Sequence, residues 1–175
     1  LRGSFIPPEP IRELRYLTRY RKTLIQSRAS EANRIQKLLE TANIKLASVA
    51  TDVLGVSGRA MLSALVSGKR DPEQLAEMAK GTLRAKRGQL VDAFYGRFKD
   101  HHGFLLGQLL SHVEHLDRAI AECSARIEEA MRPFSEAAIL LQTITGVGRR
   151  TAEVMVAEMG VDMTRFPSAG HLASW

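Results

Sequence analysis

The sequence is poor in the residues that build disulfide frameworks and aromatic cores. It has one cysteine, Cys123, one tryptophan and 6% aromatic residues in 175 positions. A single cysteine excludes an intrachain disulfide framework, and it is typical of a reducing compartment. No apolar run approaches the roughly 20 residues that a membrane-spanning helix needs, and the first residues lack the apolar centre of a signal peptide. The sequence therefore predicts a cytoplasmic protein without a membrane partner.

Candidate catalytic and metal-binding groups are also scarce. His112 and His115 lie near two acids in one predicted helix, but His112 falls on the apolar stripe of that helix, and a zinc site needs more convergent ligands. Ser57 lies in Gly-Val-Ser-Gly, which lacks the spacing of a nucleophile elbow and is better explained as a helix start. We therefore predict no catalytic residue, no metal ligand and no cofactor in this chain.

The positive charge is concentrated at the start of the sequence. The chain has 25 Lys and Arg against 19 Asp and Glu, and residues 1–50 hold ten of the basic residues but four of the acids. The first 50 residues thus account for the whole net charge of +6. A basic helix face attracts phosphates, although a solvated face explains many such runs equally well. The candidate phosphate contacts on this helix are Arg12, Arg15, Arg19, Arg21, Lys22 and Arg28.

Helical periodicity predicts an all-α fold. Pro7 and Pro8 precede a helix from Glu9 to Ala42, and Pro10 lies in its first turn. The 3,4 spacing of this helix is typical of a partly polar coiled-coil seam. The charges in the middle of the seam are expected to lie at an edge, to pair across helices or to meet nucleic acid. The seam consists of Leu14, Leu17, Arg21, Leu24, Arg28, Glu31, Ile35 and Leu38.

We divide the rest of the chain by its helix start and stop signals. Residues 1–43 form the basic first coiled-coil helix, and 44–81 a small helical subdomain in which Gly68 ends one helix and Asp71 caps the next. Residues 82–133 form a second long helix that pairs antiparallel with the first and ends at Pro133. Gly96 and Gly103 are expected to weaken this helix. Residues 134–175 contain a helix-hairpin-helix, with Ser135 and Ser168 as predicted caps. The apolar stripe of the second long helix is predicted at Leu105, Leu109, His112, Leu116, Ile120, Cys123, Ile127 and Met131.

The hairpin is the most informative part of the sequence. Its two glycines, Gly146 and Gly148, can adopt backbone angles closed to other residues, while Ile144 and Val147 are expected to point into the helix pair. The apolar residues spaced to close this pair are Leu141, Ile144, Val147, Ala152, Met155 and Val156. A second helix that begins near Arg149 would direct free N–H groups and its positive dipole end outward, as in an anion site. An ordinary helix-to-helix turn is the alternative. The predicted nucleic-acid contacts are Thr145, Gly146, Val147, Gly148, Arg149, Arg150 and Thr151.

The order of these segments resembles a known family. Gly-Ser-Phe-Ile-Pro-Pro at 3–8, Ile-Arg-Glu-Leu-Arg at 11–15, Thr-Gly-Val-Gly at 145–148 and Phe-Pro-Ser-Ala at 166–169 follow each other as in the middle of an insertion-sequence transposase. In that type, a coiled coil joins an N-terminal resolvase-like acidic (DEDD) domain to a C-terminal serine domain. The resemblance covers essentially the whole chain, and both ends are expected to be cuts through a longer protein. It implies that residues 134–175 also contain the truncated start of the C-terminal transposase domain.

The resemblance implies a DNA recombinase that cuts and rejoins insertion-element ends and is guided by a structured RNA. It places the catalytic acids before Leu1 and the catalytic serine beyond Trp175, so that Mg²⁺ is expected for the full-length parent and not for this chain. Its implied partners are DNA, a guide RNA and further copies of the chain joined through the coiled coil, in the nucleoid of a bacterial or archaeal cell. Two alternatives stay open: a helix-hairpin-helix module of a DNA repair or junction-processing protein, and a purely structural coiled-coil scaffold.

Overall fold

A computed structural model describes residues 6–174, which form helices and no strand. This confirms the all-α prediction for the described residues. Residues 1–5 and Trp175, which carry part of the family resemblance, lie outside them. The helices are α1 (Glu9–Thr41), α2 (Leu46–Val49), α3 (Val56–Val66), α4 (Pro72–Ala76), α5 (Arg87–Phe94), α6 (Asp100–Met131), α7 (Ser135–Gln142), α8 (Arg149–Met159) and α9 (Ala169–Ala173), with 3-10 turns at Gly81–Lys86, Arg132–Phe134 and Met163–Arg165.

The chain forms two compact units. Unit one combines the chain up to Leu24 with the chain from Ala119 onward, and unit two is Ile25–Arg118. Each unit therefore contains one part of α1 and one part of α6. This division differs from the four consecutive segments expected from the sequence. In residues 6–174, no helix has both the length and the apolar character that crossing a membrane requires.

Unit two is built around one apolar core. The core combines the end of α1, the short helices α2 to α5 and the first half of α6, and its fully buried side chains include Ile35, Leu62 and Leu106. Gly68 ends α3 with φ +90°, and the Asp71 carboxylate accepts a hydrogen bond from the Glu73 N–H at the start of α4. Both helix boundaries follow the sequence prediction.

Charged side chains join α1 to α6 in unit two. Arg28 and Arg59 both form ion pairs with Asp117, and Glu31 accepts contacts from Arg34 at 2.7 Å and from His112 at 3.2 Å. Burial raises the pKa of Asp117, but hydrogen bonds from the two arginines outweigh it and hold this pKa below its usual value. The charges in the seam therefore pair across helices, which is one of the three outcomes expected for them.

The second long helix begins later than predicted. Instead of one helix from Thr82, the structure has a 3-10 turn, α5, a break at 95–99 and then α6 from Asp100. A Cβ at Gly96 would lie 2.4 Å from the Ala42 carbonyl oxygen, and the Arg97 N–H donates to that oxygen at 2.7 Å. The chain turns here because its backbone packs directly against the end of α1, a long-range contact that helical periodicity does not reveal.

Two further details correct the prediction for α6 and α7. The predicted stripe holds from Leu116 onward, but before it the buried residues are Leu106, Leu110 and Val113, while Leu105 and His112 are exposed. The stripe is shifted by one residue because 104–113 offers two apolar faces, and the core of unit two selects one of them. Ser135 is the first residue of α7, and no side chain caps this helix.

Candidate nucleic-acid interface

Six residues, 143–148, connect α7 to α8 in unit one. Gly146 has φ +88°, in the left-handed region that favours glycine, whereas Gly148 is extended with φ −84° and ψ 173°. The Val147 N–H donates to the Ile144 carbonyl at 3.0 Å, which closes the turn. A Cβ on either glycine would meet no atom of residues 6–174 within 4 Å. The backbone at the tip of this connection, which we call the hairpin, is therefore open to an approaching molecule.

The apolar residues of the hairpin only partly follow the prediction. Ala152 and Val156 of α8 are buried, and Val147 is half-buried. Ile144, which was expected to point into the helix pair, is 52% exposed, and Leu140 is 70% exposed. The short α7 leaves one turn of apolar side chains uncovered, because α8 packs against only one face of it.

The first turn of α8 carries the two predicted arginines in different environments. The first helical hydrogen bond runs from Ala152 N–H to Gly148 O, and no side chain in the described part of the protein caps this helix start. Arg149 pairs with Glu128 at 3.0 Å and with Glu153 at 3.1 Å, and the Glu128 hydrogen bond is the largest cause that raises its pKa. Arg150 is exposed and has no carboxylate partner among the described residues. Arg150 is thus the cation at the hairpin that a phosphate can reach without displacing a carboxylate.

Two of the predicted α1 cations bind the end of α8. Arg15 donates to the Ala157 carbonyl at 3.1 Å and to the Glu158 carbonyl at 2.8 Å, so that it satisfies carbonyls that a helix end leaves open. Arg19 forms a bidentate pair with the Glu158 carboxylate, both contacts at 2.8 Å. The Arg19 hydrogen bond is the largest cause that lowers the pKa of Glu158. These two arginines attach α8 to α1.

A third α1 cation is buried in the same interface. The Arg21 side chain is 5% exposed and the Glu153 side chain 6%, and their nearest charged atoms, Nη2 and Oε2, are 2.7 Å apart. Oε2 lies in ionic contact with Arg21 without a well-aligned hydrogen bond. Because isolated buried charges are costly, each of these groups is held in place by the other.

The six predicted α1 cations therefore do not form one free basic face. Arg15, Arg19 and Arg21 contact α8 in unit one, and Arg28 contacts Asp117 in unit two. Two others are exposed, Arg12 and Lys22, and Lys22 lies near enough to Glu158 to lower its pKa.

The partner residues Glu153 and Glu158 were missed from the sequence, although a signal existed for one of them. Glu153 follows Ala152 and precedes Val156 on the face of α8 that is predicted to be buried, and an acid on a buried face calls for a cation.

No group of three potential metal-ligating side chains is found within residues 6–174. Cys123 is buried, and burial raises the pKa of its thiol.

The two glycines of the hairpin offer a matched test of its conformation. Gly146→Ala forces a side chain into a positive φ, so we expect a loss of about 1–2 kcal/mol in the free energy of unfolding. Gly148→Ala keeps an allowed extended conformation in open space, and we expect a change within about 0.5 kcal/mol. Urea denaturation followed by circular dichroism measures both. Equal losses would mean that the turn does not adopt this conformation in solution.

Comparison with protein families finds a match within unit one. Residues 138–175 match the family described as Transposase IS116/IS110/IS902. The match begins inside α7 and includes the hairpin, α8 and α9, and it supports an insertion-sequence transposase. No curated protein and no solved structure matches the chain.

Proposed function

We propose that this chain is a nucleic-acid-binding segment of a DNA transposase, and that the hairpin contacts the phosphate backbone. The observation that carries the proposal is the uncapped start of α8 beside the exposed Arg150, within the residues that match the transposase family. Open N–H groups, a positive dipole end and an unpaired guanidinium all favour an anion at one place. Backbone contacts of this kind position a protein on DNA without reading its sequence.

The α1 cations have a supporting role in this proposal. Arg15 and Arg19 hold the end of α8, and Arg21 holds its first half through Glu153. A fixed helix presents its N-terminus without the conformational entropy that a mobile loop loses on binding. Arg149 is part of the same support, because two carboxylates already engage it. The phosphate contact is thus assigned to Arg150 and to the backbone from Gly148 to Thr151.

We further propose that the parent protein cuts and rejoins DNA with Mg²⁺, a guide RNA and more than one copy of this chain. The apolar residues of the α1 seam are buried or half-buried within each unit. Self-association would therefore use other surfaces, and light scattering at several protein concentrations tests it directly.

Replacing the unpaired guanidinium tests the DNA contact. For Arg150→Gln, we expect weaker binding to duplex DNA of every sequence and a plot of log K against log salt whose slope is smaller by about 0.9, as loss of one phosphate contact requires. Fluorescence anisotropy with two unrelated duplexes at several salt concentrations provides both quantities.

Arg118→Gln is the matched control, because Arg118 is also exposed and has no carboxylate partner among the described residues. It removes the same charge in unit two, away from the hairpin residues in sequence. If both variants lose affinity equally, net charge and not the hairpin determines binding. If the parent chain binds DNA and Arg150→Gln leaves its salt dependence unchanged, the hairpin is not the contact.

A structural scaffold is the second candidate function. It is supported by the contacts of Arg15, Arg19 and Arg21 within unit one, because cations engaged in this way contribute to folding. On that reading the chain binds neither DNA nor RNA at low salt, while it retains its fold.

A further inference from the structure

A run of positive charge in unit two lies in a segment that the hairpin proposal does not use. Between Glu77 and Asp92 the sequence has four cations and no acid. They are Lys80, Arg84, Lys86 and Arg87, and all four are exposed. We call residues 80–87 the cationic segment. It includes the 3-10 turn Gly81–Lys86 and ends where α5 begins.

The charges of this segment are largely free of carboxylates. Arg87 pairs with Glu77 at 2.6 Å. Lys86 donates to a neutral group, the Val49 carbonyl, at 3.2 Å, which positions its ammonium without neutralising it. Lys80 and Arg84 have no carboxylate partner in the part of the chain that the structure describes. Three of the four charges thus stay available, in contrast to the α1 arginines that contact carboxylates.

The segment is also held in a defined place. The Lys80 N–H donates to the Ser57 hydroxyl at 2.9 Å, which fixes the start of the segment against the first turn of α3. Lys80, Lys86 and that turn line an open cavity of about 450 Å³. Asp52 lines it too, but its carboxylate accepts a hydrogen bond from the Leu54 N–H at 2.9 Å. The two ammonium groups therefore border a recess whose only lining acid, among the described residues, is engaged in a turn.

We propose that the cationic segment is a second phosphate-contact surface of this chain, and that its ligand is the backbone of duplex DNA. Exposed cations without counter-charges gain from phosphates by releasing the condensed counterions of the nucleic acid. The side chains between the cations are small or short, with Gly81, Thr82 and Ala85 exposed, so the backbone of a ligand can come close. The ligand is duplex DNA, since the family match in unit one supports a transposase.

This inference rests on the proposed DNA-binding function but not on the hairpin. The test compares the parent chain, Lys80→Gln/Arg84→Gln/Lys86→Gln, and a control triple variant with the same change in charge. The control is Lys37→Gln/Lys69→Gln/Arg118→Gln, which removes two lysines and one arginine from exposed positions elsewhere in unit two. Circular dichroism verifies that all three proteins are folded.

We expect the first variant to bind duplex DNA with a salt slope smaller by about 2.7, since three phosphate contacts are lost. When salt is raised from about 50 to about 200 mM, the parent then loses about 40-fold more affinity than this variant does. The control variant keeps a slope close to that of the parent. Equal effects of the two triple variants would overturn the proposal. It would also be overturned if the first variant lost more affinity for structured RNA than for duplex DNA.

Chemical acetylation gives a second measurement that needs no substitution. Lys80 and Lys86 are expected to react several-fold more slowly when saturating duplex DNA is present, while Lys37 and Lys69 react at an unchanged rate. Unprotected Lys80 and Lys86 in a chain that binds DNA would refute the segment and leave the hairpin proposal intact. If Arg150→Gln has no effect but the segment is protected, the hairpin proposal fails and this one stands. A parent chain without DNA affinity at low salt overturns both.

Discussion

Glu153→Gln is expected to lower the free energy of unfolding by about 3–5 kcal/mol, because it leaves the Arg21 guanidinium buried without a counter-charge. Both partners are more than nine-tenths buried, and Glu153 is also the residue that links Arg21 to Arg149. The measurement is guanidinium chloride denaturation near pH 7, monitored by helical circular dichroism.

Glu128→Gln is the matched control for this prediction. Glu128 also pairs with Arg149, but its side chain is 62% exposed, so solvent screens the pair and we expect a loss below about 1 kcal/mol. The double replacement Arg21→Met/Glu153→Leu removes both charges together and is expected to regain most of the lost stability. A single variant as stable as the parent would show that water reaches the pair in solution.

Gly58→Ala is expected to cost at least about 3 kcal/mol, the largest effect of any single methyl group in unit two. The added Cβ would lie 2.0 Å from the Val53 carbonyl oxygen, and the contact atom is backbone, so no rotamer change can relieve it. Because Val53 and Leu54 are buried in the core, displacing this segment also disturbs the packing of α3.

Gly88→Ala provides the comparison within a neighbouring helix. Gly88 lies in α5 with no atom within 4 Å of an added Cβ, and alanine favours a helix over glycine, so we expect no loss and a gain of up to about 1 kcal/mol. Thermal unfolding of the two variants is sufficient to separate them. Similar melting temperatures for both would contradict the close approach of α3 to Val53.

The sequence is a good guide to elements whose signals are local. The start of α1 beside its prolines, the caps at Gly68 and Asp71 and the start of α8 at Arg149 all depend on residues within one turn, and the structure confirms them. The all-α class follows for the same reason, since helical periodicity extends over most of the chain.

Features that depend on distant residues were not predictable in the same way. The break at Gly96 exists because the chain meets the Ala42 carbonyl, more than 50 positions earlier in sequence. The contacts of Arg15 and Arg19 likewise depend on oxygens of α8 about 140 positions away. A basic helix face looks the same in sequence whether its partners are phosphates or carboxylates, and only the three-dimensional structure separates the two.

The long separation between Arg15 and Glu158, 143 positions in sequence, also constrains the order of folding. A ribosome extends the chain from its amino end, so all of unit two has been synthesised before α8 exists. During that interval the arginines of α1 lack the carboxylates that later hold them. The contacts between α1 and α8 then close a loop that contains the whole of unit two. We expect them to form late, because contacts between residues so far apart in sequence carry a large loop-closure entropy.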